Sequence, residues 1–143
     1  SKPSRVKERL AAYDPNDVLL CDIVKAELYY GAFKSARPAD NLAVLKSLFA
    51  SFESVPFTGD TARVFGKLRS DLAQQGSPIG PLDLQIASIA ALNGLILVTS
   101  NTREFTRISG LQCMICNPET EPKTRCLKKR FLTRSLHHFV AAA

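Results

Sequence analysis

The stretch Gly76-Ser-Pro-Ile-Gly-Pro-Leu-Asp83-Leu-Gln-Ile-Ala-Ser-Ile-Ala-Ala-Leu92-Asn-Gly-Leu-Ile-Leu-Val-Thr99 decides the fold class. It opens as a turn-rich loop, and Pro81 suits the first position of a helix, where a backbone N–H would have no intrahelical partner anyway. The helix runs to Leu92, and Asn93-Gly94 closes it, because glycine accepts the left-handed conformation that ends helices. Leu95 to Thr99 is then an unbroken apolar run, the pattern of a strand covered on both faces. A helix leading straight into a doubly covered strand points to an α/β fold with a parallel sheet. The polar loop Ser100-Asn-Thr-Arg-Glu104 follows at once.

The upstream chain repeats the alternation. Ser4 is placed to cap a short helix bearing Val6, Leu10 and Tyr13, ending near Asp14-Pro15. Val18 to Cys21 reads as a short strand, and Asp22 as the cap of a helix that carries Ile23, Ala26, Leu28 and Tyr30 to about Ser35, with Glu27 early on it. From Asp40 to Ser54, Leu42, Leu45, Leu48, Phe49 and Phe52 recur at three- and four-residue spacings, so an amphipathic helix is expected, then a short strand over Val55 to Phe57. Asp60 is expected to cap a further helix with Ala62, Phe65, Leu68 and Leu72 inward, ending at Gln75-Gly76. In open parallel sheets ligands gather at the carboxyl ends of the strands, where Asp22, Asn101 and the start of the Glu27 helix fall.

At 143 residues, 45% hydrophobic and 22% charged, the chain has the make-up of one globular domain. Its longest apolar stretch, Ile86 to Val98, is broken by Asn93 and Gly94 and is too short for a membrane span, and nothing N-terminal resembles a signal peptide. A cytoplasmic protein is expected. The net charge of +6 is uneven: residues 117–143 hold six Lys/Arg against two Glu, four of the six charges. The body, 1–116, is therefore close to neutral, and the basic balance argues only weakly for nucleic acid. Residues 117–143 read as a basic tail, either disordered or forming a short helix through Phe131, Leu132, Leu136, Phe139 and Val140. Cys21, Cys113, Cys116 and Cys126 are read as free thiols in a reducing compartment. Cys113-x-x-Cys116 with Cys126 and His137 or His138 has half the spacing of a zinc site, but the rest is irregular, so no tight zinc binding is expected.

Glu27, Asp83 and Glu104 stand beside apolar segments rather than on evident solvent faces, which raises metal-dependent hydrolysis. Pattern alone favours simpler roles. Asp83 in a first helical turn interacts favourably with the macrodipole. Glu27 reads as a surface glutamate, Asn101 and Glu104 as loop residues capping a following turn, and Arg103 as a loop arginine or a phosphate contact.

Three blocks change that balance: Asp22-Ile-Val-Lys-Ala-Glu-Leu-Tyr-Tyr-Gly31, Pro78-Ile-Gly-Pro-Leu-Asp-Leu-Gln-Ile-Ala87 and Leu97-Val-Thr-Ser-Asn-Thr-Arg-Glu-Phe105. In order and spacing they resemble VapC-type PIN-domain ribonucleases, and with Ser109-Gly-Leu111 the likeness covers roughly residues 3–112. The resemblance implies a PIN-like domain over 1–116, a parallel β-sheet flanked by helices. It implies Mg²⁺ or Mn²⁺ held by Glu27, Asp83 and Glu104, with Asp83, Glu27, Glu104 and Asn101 as catalytic residues. It implies cleavage of RNA, often tRNA, a VapB-type antitoxin as partner, and a homodimer. Carboxylates crowded together repel one another, so a divalent cation makes such a cluster intelligible.

Two departures qualify the expectation. The family's opening strand, ending in Asp-Thr-Asn or similar, should precede Glu27 by thirty or forty positions, yet only 26 residues precede it and the first is Ser1 rather than Met. The N-terminal strand and its aspartate are expected to be missing, leaving two strand edges open and the isolated chain with little metal-dependent ribonuclease activity. The chain also continues past the family's usual ending into the basic tail. A truncated, catalytically inactive PIN-domain remnant, or an antitoxin- or RNA-binding module, is the alternative reading.

Overall fold

The computed structural model describes residues 15–99, 101–115 and 130–132. The expected helix from Ser4, the cysteines Cys116 and Cys126, and His137 and His138 lie outside them. After a 3-10 turn at Pro15–Asp17 come β1 (Val18–Cys21), α1 (Asp22–Lys34), α2 (Pro38–Ala50), β2 (Glu53–Val55), α3 (Gly59–Gln74), α4 (Pro81–Leu92), β3 (Ile96–Thr99), α5 (Thr102–Phe105), β4 (Cys113–Ile115) and β5 (Arg130–Leu132). The five strands form one sheet in the order β2-β1-β5-β3-β4, and every pairing is parallel. The α/β fold with a helix-flanked parallel sheet is thus as the sequence predicts.

Every residue of β1 and of β3 is buried, as the unbroken apolar runs require of strands covered on both faces. Around them Leu28, Leu45, Ile86, Ile89 and Phe105 complete one core. Helix α4 lies deepest, with Asp83, Leu84, Ile86, Ala87, Ser88, Ile89 and Ala90 all buried, and it packs against α1 and α3. Its polar Ser88 is accommodated by donating to the Leu84 carbonyl at 2.6 Å. The turn between α1 and α2 is fixed in a similar way: Asn41 donates to Ser35 Oγ at 2.8 Å, and that hydroxyl donates to the Ala32 carbonyl at 2.7 Å.

Helix starts differ by a residue or two from the expected caps. Cys21, not Asp22, is the N-cap of α1, its Sγ accepting from Val24 N at 3.4 Å, and Asp22 opens the first turn. Thr58 rather than Asp60 caps α3, through a reciprocal pair with Thr61. Pro81 and Asn93-Gly94 bound α4 as expected, with Gly94 at φ 61°. Helix α2 stops at Ala50, so the second strand is Glu53–Val55 instead of Val55 to Phe57.

The largest difference lies in the middle of the sheet. The open edges expected on its central strands are absent: β1 and β3 do not pair with each other, and β5 lies between them, bonded to both. Arg130–Leu132, assigned by sequence to a tail or short helix, is therefore a strand. A three-residue segment with no alternation to reveal it gives no periodic signal, and its pairing partners are more than a hundred and some thirty residues away in sequence.

Candidate active site

Parallel strands bring their carboxyl ends to one edge of the sheet, and the polar residues that follow β1 and β3 start from that edge. After β3 the buried Thr99 accepts from Asn101 N at 3.0 Å, which turns the chain and presents the Asn101 side chain to α4. There Asn101 Nδ2 donates to Asp83 Oδ2 at 3.2 Å. Asp83 is only 6% exposed, the one carboxylate among the buried polar groups described. It occupies the third position of α4, whose N-cap Gly80 offers no side-chain hydrogen bond, so the positive end of the helix supports the carboxylate by about 0.3–1 kcal/mol.

Glu104 stands on α5, and Arg107 reaches back to it, Nη1 to Oε2 at 3.3 Å. The same Nη1 donates to the Pro78 carbonyl at 2.9 Å. Arg107 therefore ties the loop that introduces α4 to the short helix that follows β3. Sequence reasoning passed over this residue, although its position three after Glu104 on a helical turn was a usable signal. Arg103, by contrast, is exposed. Glu27 lies partly buried on α1, which packs against α4. At the edge formed by β1 and β2, Ser54 donates to Asp22 Oδ1 at 3.1 Å and Lys25 donates to the same hydroxyl.

The structure thus joins Asp83 to Asn101 directly and links Glu104 to the loop before Asp83. It does not group Glu27, Asp83 and Glu104 as the resemblance implies: among the described residues no three His, Cys, Asp or Glu side chains stand together as a set able to hold a metal ion. Asp83 is held by Asn101 and Glu104 by Arg107. Oxygen donors of the type a hard cation takes are present, but the expected three-acid grouping is not.

Cys21 adds no reactivity. Burial pushes its thiol up to about 11, outweighing the opposing hydrogen bonds from the backbone of Val24 and Ile23, so it stays protonated at neutral pH. Burial also raises the Cys113 thiol on β4, and Cys116, the other half of the considered zinc motif, lies outside the described residues.

Comparison with known proteins agrees with this architecture. The PIN-domain family model matches residues 1–111. The tRNA(fMet)-specific endonuclease VapC of Shigella flexneri is 40% identical over 114 residues, spanning 78% of this chain and 84% of that protein. Ribonuclease VapC2 of Haemophilus influenzae (strain ATCC 51907 / DSM 11121 / KW20 / Rd) is 38% identical over 110 residues, 76% of this chain and 83% of the relative. Among solved structures, DNA-bound VapBC from Salmonella typhimurium superposes with a TM-score of 0.72 at 36% identity, covering 80% of this chain and 86% of the other. The match extends through α4, β3 and α5, the elements that carry Asp83, Asn101 and Glu104, and the chain belongs to the PIN-domain family, in its VapC-type ribonuclease branch.

Proposed function

We propose that the chain is the ribonuclease body of a VapBC-type toxin–antitoxin pair, a hydrolase that cleaves RNA, with tRNA as the substrate class, in the cytoplasm. The observation that carries this reading is the buried Asp83 carboxylate at the N-terminus of α4, held by the Asn101 amide at the end of the sheet where α/β proteins bind ligands. Named relatives that are a tRNA(fMet)-specific endonuclease and ribonucleases support the reaction class. Among the described residues no helix is long and apolar enough to cross a membrane.

The residues divide the work by position. Asn101 fixes the rotamer of Asp83, so that one carboxylate oxygen keeps a defined place at the sheet edge. Arg107 holds Glu104 and the Pro78 loop together, which keeps the approach to Asp83 in one shape. Glu104 is assigned the role of orienting or deprotonating an attacking water, and Glu27 that of a further oxygen donor from α1. Binding of Mg²⁺ or Mn²⁺ by Glu27, Asp83 and Glu104 rests on donor chemistry, because hard divalent cations take carboxylate and amide oxygens and retain water.

A VapB-type antitoxin and a second copy of the chain are the proposed protein partners. Tyr29, Tyr30 and Phe33 support a protein-covered face, since Tyr30 and Phe33 lie one turn apart on α1 and are 61% and 66% exposed. A second functional reading, RNA or antitoxin binding without cleavage, is favoured by one observation, the Arg107 guanidinium that already engages the Glu104 carboxylate.

The test is a mixed tRNA pool incubated with the purified chain under Mg²⁺ and Mn²⁺ titration, beside Asp83→Asn, with thermal shift by each ion as a second readout. Metal-dependent cleavage abolished by the substitution supports the nuclease. Cleavage that survives it would overturn the role of Asp83. A folded chain that binds tRNA without cutting it at any metal concentration would establish the binding reading.

A further inference from the structure

Lys25, Arg103 and Arg107 stand on segments that leave the carboxyl ends of β1 and β3, the edge where α/β proteins take their ligands. They differ in how much of each cation is already engaged. Lys25 donates to Ser54, lies 4.0 Å from Asp22 Oδ1 and sits 5.3 Å from the centroid of the Phe49 ring, with its side chain 18% exposed. Its charge is spent within the protein. Arg103 is exposed, and among the described residues nothing holds its guanidinium. Arg107 lies between these extremes. Its side chain is 30% exposed, and Nη1 alone makes both of its bonds, to the Pro78 carbonyl at 2.9 Å and to Glu104 Oε2 at 3.3 Å. Among the described residues Nε and Nη2 donate to nothing.

A guanidinium is planar and carries its N–H donors in a rigid fork that matches the oxygens of a phosphate. Fixing one nitrogen on a carbonyl and a carboxylate fixes the plane, so the remaining donors keep one direction before any ligand arrives. The side-chain freedom that an exposed arginine loses on binding is, for Arg107, already lost on folding. One of its two anchors, the Pro78 carbonyl, is neutral, and the single carboxylate contact leaves part of the charge and most of the donors for a further anion. The anchors also set where that anion would lie. Pro78 is on the loop that introduces α4, the helix of Asp83, and Glu104 is on the turn that begins at Asn101, so Arg107 stands at the rim of the Asp83–Asn101 pair.

We propose that Arg107 is the phosphate-binding residue of the candidate active site, receiving on its Nε and Nη2 donors a phosphodiester of the RNA strand that passes Asp83. The role considered above for Arg103 thus belongs to the residue four positions on, because Arg107 is held in place and Arg103 is not. The inference rests on the RNA-cleaving reading, and its test measures RNA binding without metal, so that the two can fail separately.

The experiment uses the whole chain with a fluorescent tRNA pool in the presence of a chelator, and reads affinity by anisotropy over a series of salt concentrations. Arg107→Gln removes the charge but keeps an amide able to donate to the Pro78 carbonyl. It is expected to weaken binding roughly tenfold at low salt, the loss of one charge-assisted hydrogen-bonded contact. The slope of log affinity against log salt should become shallower by about 0.7–0.9, the release of one phosphate's counterions. Arg107→Lys should restore the slope and only part of the affinity, since lysine brings the charge without the fork. Arg103→Gln should cost less than Arg107→Gln. Protection of Arg107 from phenylglyoxal by bound tRNA, followed by mass spectrometry on the unsubstituted protein, gives an answer even where Arg107→Gln fails to fold. An unchanged salt slope in Arg107→Gln would mean that Arg107 only ties the loop to the turn, and would overturn the proposal, as would an equal or larger loss in Arg103→Gln or modification of Arg107 unaffected by tRNA. If the unsubstituted chain binds no tRNA at any salt concentration, the RNA reading itself falls and the proposal with it.

Discussion

Cys21 joins two structural jobs in one side chain, sealing the end of a buried strand and accepting the first hydrogen bond of α1. Its thiol is raised to about 11 in the folded protein, first through burial, whereas a cysteine in an unfolded chain titrates near 8.5. Between those values the unfolded chain has given up the proton and the folded one retains it, so the unfolded state binds fewer protons and stability falls as pH rises. Below the lower value the contribution is intact, and above about 11 the loss is complete, on the order of 3 kcal/mol. Urea midpoints measured from pH 8 to pH 11 should drop more steeply for the natural protein than for Cys21→Ala, and parallel curves would show that Cys21 is not the group responsible. At this scale the sequence announced Asp83 through its place behind Pro81 at a helix start. It shows Arg107 three residues after Glu104, but not its reach to a carbonyl 29 residues away. Nor could it give the partners that the acids adopt, because Asn101 and Asp83 are 18 residues apart and meet only once β3 and α4 have packed.

Helices were the most legible elements, since each rests on a local period and local caps. α3 illustrates both sides. Its inward residues and its end at Gln75-Gly76 follow from spacing and glycine, while its start was read at Asp60 when two threonines provide the cap. Thr58 and Thr61 exchange bonds between side chain and backbone at 3.3 Å each, and Thr61 is fully buried. Thr58→Ala removes the acceptor for Thr61 N and should lower stability by about 1 kcal/mol, with Asp60→Ala costing less because Asp60 only adds charge to an exposed first turn. Chemical denaturation of the two variants decides it, and the reverse order of costs would return the cap to Asp60. β2 was misplaced by two residues for a comparable reason. Phe52 packs on the core like a helical residue although the helix has ended, so the apolar period outruns the element.

For the molecule as a whole, the parallel sheet was foreseen from two apolar runs, and its centre was not. A strand pairing is written in both partners, and β5 has too few residues to carry a pattern of its own. Because β5 is the bridge between the two ladders, the halves of the sheet should open as one unit. Native-state hydrogen exchange in rising denaturant should therefore show the amides of Leu20 and Val98 converging on a common opening free energy, and two distinct isotherms would mean that the helices alone hold the halves together. The central placement of β5 also bears on how the protein is made. Synthesis runs from the amino end, so four strands and every described helix leave the ribosome before the strand that belongs in the middle. Until it arrives, β1 and β3 lack the hydrogen bonds that β5 gives each of them, and unpaired strand edges are the kind of surface to which other chains add. The last described element to be synthesised is thus the one that joins the two halves of the sheet.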